Sequence, residues 1–235
     1  MELIFLQAKK PLCKEISDTG TKPYPLSKNF TSHHHETNPD QKGLNQFYKL
    51  LTKYADQGYC LHKGALKQPL QDEPRAFMSD RNASTQLLVL DIDGLPYKTG
   101  NVGIGTLAEM IVLQLPEIFH DVSYIAQASA SLGFKKDKLS LHLFFFLDMP
   151  VHPKTLKDWL RLVNYDSEFL AEQIGLSANG QSLSYIVDPS VADNSKLIYI
   201  ATPTFKNVQD PFPEGRFVKV DRGSPTLEIS SSLTT

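Results

Sequence analysis

The stretch Gln86–Leu95, QLLVLDIDGL, is an apolar run that ends in two aspartates separated by a single residue. A short apolar run of this kind predicts a buried β-strand. Because residues i and i+2 of a strand project from the same face, we expect the carboxylates of Asp91 and Asp93 to lie side by side. Two like charges this close repel each other unless a cation lies between them, and Mg²⁺ or Mn²⁺ prefers such oxygen ligands. The alternative is that the strand ends at Asp91 and that Asp93 and Gly94 form a turn.

The composition is that of an ordinary globular protein. The chain has 235 residues, of which 41% are hydrophobic and 21% charged, enough for one large domain or two interleaved subdomains. A net charge of −2 does not favour a protein that coats DNA. No apolar run is long enough to cross a membrane, and the N-terminus lacks the basic start of a signal peptide. The two cysteines form no CxxC pair, so we expect neither a disulfide framework nor a cysteine zinc site, and a cytoplasmic location.

The hydrophobic pattern predicts interleaved helices and strands and therefore the α+β class. Helical spacing of apolar residues predicts helices over residues 41–57, 104–114 and 153–174. Apolar and aromatic runs predict further strands over residues 2–6, 121–130, 138–148, 183–188, 196–201 and 216–220, and a strand with a turn over 59–70.

Two stretches are expected to lie outside regular structure. Residues 14–40, rich in Pro, Asn, Ser and Thr, predict a long loop in which His33–His35 are solvated. Residues 1–220 are expected to form the folded unit. Residues 221–235, DRGSPTLEISSSLTT, are small and polar and predict a linker or flexible tail that leads to further domains.

The predicted strand KLSLHLFFFLD, residues 138–148, carries a second candidate site. Ser140 and His142 are again i and i+2, so they share a face opposite to the leucines between them. A hydroxyl and an imidazole side by side suit the oxygens of a phosphate, and Lys135, Lys136 and Lys138 add positive charge. The alternative is a half-exposed strand with ordinary outward polar residues.

A third candidate is Asp188, which follows the apolar run LSYIV and precedes Pro189. A lone aspartate at such a point is typical of a turn or a helix cap. Its position after an apolar run nevertheless parallels that of Asp91. Together the three sites therefore give the order Asp-x-Asp, Ser-x-His and Asp, each on or after an apolar run.

This order resembles the archaeo-eukaryotic primase superfamily, and most closely the primase-polymerase catalytic domains of plasmids, phages and integrated mobile elements. The stretch CLHKGALKQPLQDEPRAF, residues 60–77, is also similar to the segment that precedes the first motif in that group. The resemblance covers residues 40–205. It implies an RRM-like sheet unit packed with an N-terminal α/β unit, with the active site in the cleft between them.

The resemblance also implies roles for individual residues. Asp91, Asp93 and Asp188 would bind two divalent metal ions, Mg²⁺ or Mn²⁺, and Ser140 and His142 would contact the triphosphate of the incoming nucleotide. Further candidates for nucleotide contacts are Lys63, Arg75 and Lys138. The implied partners are single-stranded DNA, nucleoside triphosphates and a helicase, in the same chain or separate. The simpler alternative for each basic residue is a solvated surface charge.

One departure from the family pattern concerns the third motif. Lys196 stands where relatives often carry an arginine, on the side of the site where the phosphates would be held. Asp193 is expected to be a turn residue.

Two other functions remain open at this level. The stretch LLVLDIDGL also resembles the first motif of haloacid-dehalogenase-type phosphatases, in which Asp91 would be the nucleophile and Asp93 the acid/base. Against this, about 90 residues precede the motif, Leu95 replaces the usual threonine, and no acidic downstream motif is apparent. A replication-initiator module that binds DNA without catalysis is the second alternative.

Overall fold

The computed structural model describes residues 1–97, 102–134 and 137–232, and these form an α+β structure built mainly from antiparallel sheets. The strands are β1 Glu2–Gln7, β2 Glu15–Ser17, β3 Gly20–Lys22, β4 Asn29–Glu36, β5 Cys60–His62, β6 Glu73–Pro74, β7 Thr85–Pro96, β8 Tyr124–Ala128, β9 Lys138–Val151, β10 Gly175–Leu176, β11 Leu183–Ser184, β12 Leu197–Ile198, β13 Thr204–Lys206 and β14 Phe217–Val220. The α-helices are α1 Gln41–Asp56, α2 Ile104–Val112, α3 Pro153–Asp166, α4 Glu168–Ala171 and α5 Ile229–Ser232. Short 3₁₀ turns cover Glu117–Phe119 and Pro189–Ala192.

A four-stranded antiparallel sheet in the order β14-β8-β9-β7 forms the centre of the molecule. Strand β9 is apolar almost throughout because both faces of this sheet are covered. Phe144 and Phe146 contact Phe47 of α1 on one face, with ring centroids 5.7 and 5.8 Å apart. Phe145 contacts Phe119 on the opposite face at 5.3 Å. The strands predicted within residues 86–95, 121–130 and 138–148 are thus confirmed.

A second, five-stranded sheet in the order β12-β5-β1-β4-β6 contains the N-terminal strand. Helix α1 packs against both sheets, and its apolar stripe includes Leu44, Phe47 and Leu51, all fully buried. Asp40 caps the helix by accepting a hydrogen bond from the backbone N–H of Gly43 at 2.7 Å. The helix ends before Gly58, whose φ of +76° suits glycine. The prediction of this helix is confirmed.

The expected loop over residues 14–40 is wrong. It contains β2, β3 and the eight-residue strand β4, on which the three histidines lie. The Nδ1 atom of His34 lies 2.7 Å from a carboxylate oxygen of Glu2, and Nε2 of His35 lies 2.8 Å from the hydroxyl of Tyr54. Strand β4 is mostly polar, and just Phe30 and Ser32 of its residues are buried, so its composition does not show a strand.

The expectation of a flexible tail from residue 221 also needs correction. Leu227 and Ile229 are fully buried, and the backbone N–H of Leu227 donates to the carbonyl of Phe146 at 2.8 Å. The Asp148 carboxylate accepts from the backbone N–H of Ile229 at 3.0 Å. Two buried apolar residues two positions apart are enough to fix this segment on the sheet, although the residues around them are small and polar.

Two smaller predictions also differ from the structure. The helix expected over 153–174 is two helices, because Ser167 ends α3 and caps α4 through a hydrogen bond from the N–H of Leu170. In the strand expected over 183–188, Leu183–Ser184 pairs with β10, and Val187 forms an isolated bridge with Ile92.

Candidate active site

The two predicted pairs of polar residues face each other across neighbouring strands. In the register of β7 and β9, Asp91 lies opposite His142 and Asp93 lies opposite Ser140. Directly opposed residues of an antiparallel pair share a face, so all four side chains project to the same side of the sheet. Sequence reasoning placed each pair on one face but did not foresee that the pairs are direct neighbours.

Strand β7 does not end at the aspartates, and the Asp-Gly turn considered above is not present. The strand continues to Pro96, with a shift in register between Asp93 and Leu95. Gly94 at this irregularity has a φ of +75°, a conformation that glycine adopts readily. The bulge lies at the carboxylate pair, where such irregularities can re-aim a side chain.

Ser140 holds Asp93 in place. Its hydroxyl donates to Oδ1 of Asp93 at 2.6 Å and accepts from the backbone N–H of Gly94 at 3.3 Å. The hydroxyl is therefore engaged by the carboxylate beside it.

His142 lies between Gln127 and Asp91. Its Nδ1 atom is 2.9 Å from Oε1 of Gln127, and its Nε2 atom is 3.5 Å from Oδ1 of Asp91. Burial opposes ionisation of Asp91, but the neighbouring His142 ring and the charge of Lys196 outweigh it, so the pKa of Asp91 lies below its usual value. Asp91 is thus favoured as an anion.

Asp188 reaches the same region through the backbone of β7. Its backbone N–H donates to the carbonyl of Asp91 at 3.1 Å. Its carboxylate accepts from the N–H and the hydroxyl of Ser190 at 2.8 and 2.6 Å, which caps the 3₁₀ turn that follows. The buried Asn164 of α3 fixes the preceding residue, since it accepts from the N–H of Val187 and donates to its carbonyl. Asp188 is therefore both a cap and a lining residue of the cavity described next.

These side chains line one cavity of about 210 Å³ between the two sheets. Its lining residues are Lys14, Tyr24, Asp91, Asp93, Ser129, Ala130, Ser131, Ser140, His142, Asp188, Val191, Lys196, Leu197, Ile198 and Tyr199. The structure thus places Asp91, Asp93, Asp188, Ser140 and His142 around one cavity, an arrangement that the resemblance implies.

Three residues that line the cavity, Lys14, Tyr24 and Tyr199, were not predicted from the sequence. Tyr24 stacks on Tyr199, with ring centroids 3.8 Å apart, and Nζ of Lys14 lies 4.8 Å from the centre of the Tyr24 ring. Lys14 and Tyr24 lie in the stretch expected to be a loop, and the small sheet in the order β13-β2-β3 holds that stretch in place. Lys196, noted above as a departure, does line the cavity.

Three basic residues predicted to contact the nucleotide do not line this cavity. Lys63 is 2% exposed, its amine has no hydrogen-bond partner among the described residues, and burial lowers its pKa to about 7. Arg75 donates to the carbonyl of Ser195 at 2.5 Å, so it supports the loop before Lys196. Lys138 is exposed at the start of β9. The lysines Lys135 and Lys136 lie outside the described residues.

The donor chemistry of the cavity suits a hard divalent cation, because Asp91, Asp93 and Asp188 offer carboxylate oxygens. Within the part of the chain that the structure describes, no group of three or more His, Cys, Asp or Glu side chains is arranged to hold a metal ion. The carboxylates of Asp93 and Asp188 each accept a hydrogen bond from a serine hydroxyl. A bound metal ion would compete with these serine hydroxyls for the carboxylate oxygens.

A larger groove of about 590 Å³ lies between the start of α2 and residues 211–218. Its described lining residues are mainly apolar and glycine-rich, and Glu214 is the one ionisable residue among them. The described part of this lining therefore offers neither the carboxylate cluster nor the positive charge of the smaller cavity.

A scan against protein-family models gave no match, and no curated protein matched the chain in a sequence search. None of the described helices is long and apolar enough to span a membrane.

Proposed function

We propose that this chain is a metal-dependent nucleotidyltransferase of the primase-polymerase type, which synthesises or extends primers on single-stranded DNA during replication of a mobile element. The observation that carries the proposal is that three aspartates and two lysines line the same cavity. Carboxylates that attract divalent cations, beside cations that attract phosphates, form the combination that a metal–nucleotide complex requires.

The aspartates and the lysines that line the cavity have different roles in the proposed reaction. Asp91, Asp93 and Asp188 supply the oxygen ligands, and the lowered pKa of Asp91 keeps that carboxylate ionised for the task. Bound Mg²⁺ or Mn²⁺ would stabilise the attacking 3′-hydroxyl and the leaving pyrophosphate. Lys14 and Lys196 supply positive charge for the triphosphate. In such a reaction the protein acts mainly by positioning and by neutralising charge.

Ser140 and His142 stay candidates for triphosphate contacts, as the resemblance implies. Both line the cavity, and both are bonded to protein neighbours, Asp93 and Gln127. Their contribution without a nucleotide is to orient the carboxylates of β7.

The architecture is compatible with the primase-like core. In the proposal, the antiparallel sheet β14-β8-β9-β7 would be the RRM-like unit, and the sheet containing β1, β4 and β5 with α1 would be the N-terminal α/β unit. The cavity lies between them, lined by β7 and β9 on one side and by β12 on the other. The partners that follow are single-stranded DNA, nucleoside triphosphates and a helicase.

One experiment separates this proposal from its two rivals. The protein is incubated with single-stranded DNA, labelled nucleoside triphosphates and Mg²⁺ or Mn²⁺, with and without a primer. Metal-dependent oligonucleotide products are expected from the parent and from the Asp158→Asn control, whose aspartate lies on the exposed surface of α3. Asp91→Asn should lose at least about a hundredfold in rate, because it removes a ligand charge.

The other outcomes identify the rivals. A covalent phosphate on Asp91 with a phosphate monoester as substrate would identify the phosphatase and overturn the proposal. Binding of DNA without any product, with either metal and with a supplied primer, would favour the non-catalytic initiator module.

A further inference from the structure

A tight turn at residues 129–132 follows strand β8 and forms part of the cavity wall. Its first three residues, Ser129, Ala130 and Ser131, line the cavity. The backbone N–H groups of Ala130 and Ser131 donate to no acceptor within the described residues, and the hydroxyls of Ser129 and Ser131 lie 3.5 Å apart. An N–H group without a protein acceptor takes one from solvent or from a ligand. Successive free N–H groups at a turn form a concavity that attracts anions.

The buried side chain of Arg216 anchors this turn. Its Nη1 atom donates to the carbonyl of Ser129 at 2.9 Å, and its Nη2 atom donates to Oδ1 of Asp210 at 2.8 Å. The guanidinium carbon lies 5.5 Å and 5.3 Å from the ring centres of Phe205 and Phe212. Because Asp210 neutralises the guanidinium, Arg216 affects the cavity mainly by fixing the position of the Ser129 carbonyl.

The rest of the cavity limits what kind of anion the turn can hold. Lys14 and Lys196 line the same cavity and add positive charge, whereas three aspartates would repel an anion that carries no cation. The volume of about 210 Å³ is below the roughly 300 Å³ at which sites for whole small molecules begin. The cavity therefore suits the phosphate groups of a metal-bound nucleotide, with the nucleoside outside it.

We propose that the turn Ser129–Ser131 is a polyphosphate subsite and that Arg216 is the positioning residue that holds it in place. The backbone N–H groups of Ala130 and Ser131 and the two serine hydroxyls would donate to phosphate oxygens. The identity of the ligand as a nucleoside triphosphate rests on the proposed function, whereas binding of a polyphosphate at the turn can be measured without any reaction.

Titration of the ¹⁵N-labelled protein with inorganic tripolyphosphate tests the subsite. ¹H–¹⁵N spectra are recorded in one series with Mg²⁺ and in another with EDTA. We expect saturable shifts of the Ala130 and Ser131 amide signals in at least the Mg²⁺ series, because a charged phosphate oxygen becomes their acceptor. Amide signals of these two residues that stay unmoved in both series would overturn the proposal, whether or not tripolyphosphate binds elsewhere.

The double variant Ser129→Ala/Ser131→Ala removes both hydroxyls and retains the backbone donors. Ser182→Ala is the matched control, because Ser182 is an exposed serine in the turn between β10 and β11 and does not line the cavity. We expect the Kd for tripolyphosphate to rise at least about tenfold in the double variant and to stay unchanged in the control. An unchanged Kd in the double variant would contradict the role of the hydroxyls.

Arg216→Lys tests the positioning role, because lysine retains the charge but lacks the planar fork that joins Ser129 to Asp210. We expect the Ala130 and Ser131 amide signals to be displaced before any ligand is added and the Kd for tripolyphosphate to rise about tenfold. In nucleotidyl transfer, the KM for the nucleotide should rise while kcat changes little. A folded variant with the Kd of the parent would overturn the role of Arg216, and the titration of the parent tests the subsite even if this variant does not fold.

Failure of this inference can be told apart from failure of the proposed function. If tripolyphosphate shifts the two amide signals and no nucleotidyl transfer occurs, the proposed function fails while the subsite stands. If transfer occurs and the two amide signals do not move, the subsite fails while the proposed function stands.

Discussion

Replacing Lys63 by methionine should stabilise the protein at neutral pH. Lys63 is buried with no hydrogen-bond partner among the described residues, and burial lowers its pKa from 10.5 to about 7. The unfolded chain therefore holds this proton more tightly than the folded protein does. The free energy of unfolding is consequently reduced at and below pH 7, and the reduction disappears as the pH rises toward 10.5.

The size of the effect follows from the shift. Each pKa unit corresponds to about 1.4 kcal/mol, so the cost of burying Lys63 is roughly 4 kcal/mol at pH 7 and roughly 1 kcal/mol at pH 10. The variant Lys63→Met has no such cost. The difference in unfolding free energy between variant and parent should therefore shrink by about 3 kcal/mol between these two pH values.

Urea unfolding curves at pH 7, 8, 9 and 10 measure this difference. Lys157→Met, on the exposed surface of α3, is the control, and we expect a small difference that does not depend on pH. A Lys63→Met protein that is less stable than the parent at pH 7, or whose difference from the parent is the same at every pH, would refute the reasoning.

Three further predictions concern packing around the site. Asn164→Ala should lower the free energy of unfolding by about 2–3 kcal/mol in urea titrations, because it leaves buried backbone groups without partners; a loss below about 0.5 kcal/mol would contradict this. Gly64→Ala places a Cβ 2.2 Å from the Asn194 side chain, so the free energy of unfolding should fall by about 1–3 kcal/mol. An unchanged free energy of unfolding would contradict this, because it would mean that Asn194 moves aside at no cost. Asp210→Asn breaks a 2.8 Å ion pair with the buried Arg216, so it should lower the free energy of unfolding by about 3 kcal/mol in the same assay. An unchanged free energy of unfolding would mean that water solvates the guanidinium in place of the carboxylate.

The sequence predicted those parts of the fold whose hydrophobic period is clear. The apolar runs of β7 and β9 and the helical spacing of α1 are dictated by burial on one or both faces. The i, i+2 rule correctly placed Asp91 beside Asp93 on one face of β7. These features depend on neighbours within a few residues, which a sequence displays directly.

The remaining features depend on contacts between distant segments. The register that sets Asp91 opposite His142 is fixed by pairing of two strands, and no local signal encodes it. Lys14 and Tyr24 enter the cavity through a small sheet whose strands are three residues long and polar. Burial of Lys63 could not be expected from the sequence, because lysine is almost never fully buried without a partner.

The most direct test of the proposed function is template-directed incorporation of a single nucleotide. A primed DNA template, with each of the four bases in turn at the next position, is mixed with one labelled nucleoside triphosphate and Mg²⁺ or Mn²⁺. The proposed function predicts that the labelled nucleotide is incorporated opposite its complementary template base and that incorporation requires the divalent ion. Incorporation should be lost in Asp91→Asn and in Asp93→Asn and retained in Asp158→Asn. Incorporation that persists in both aspartate variants, or none with either metal on any template, would contradict it.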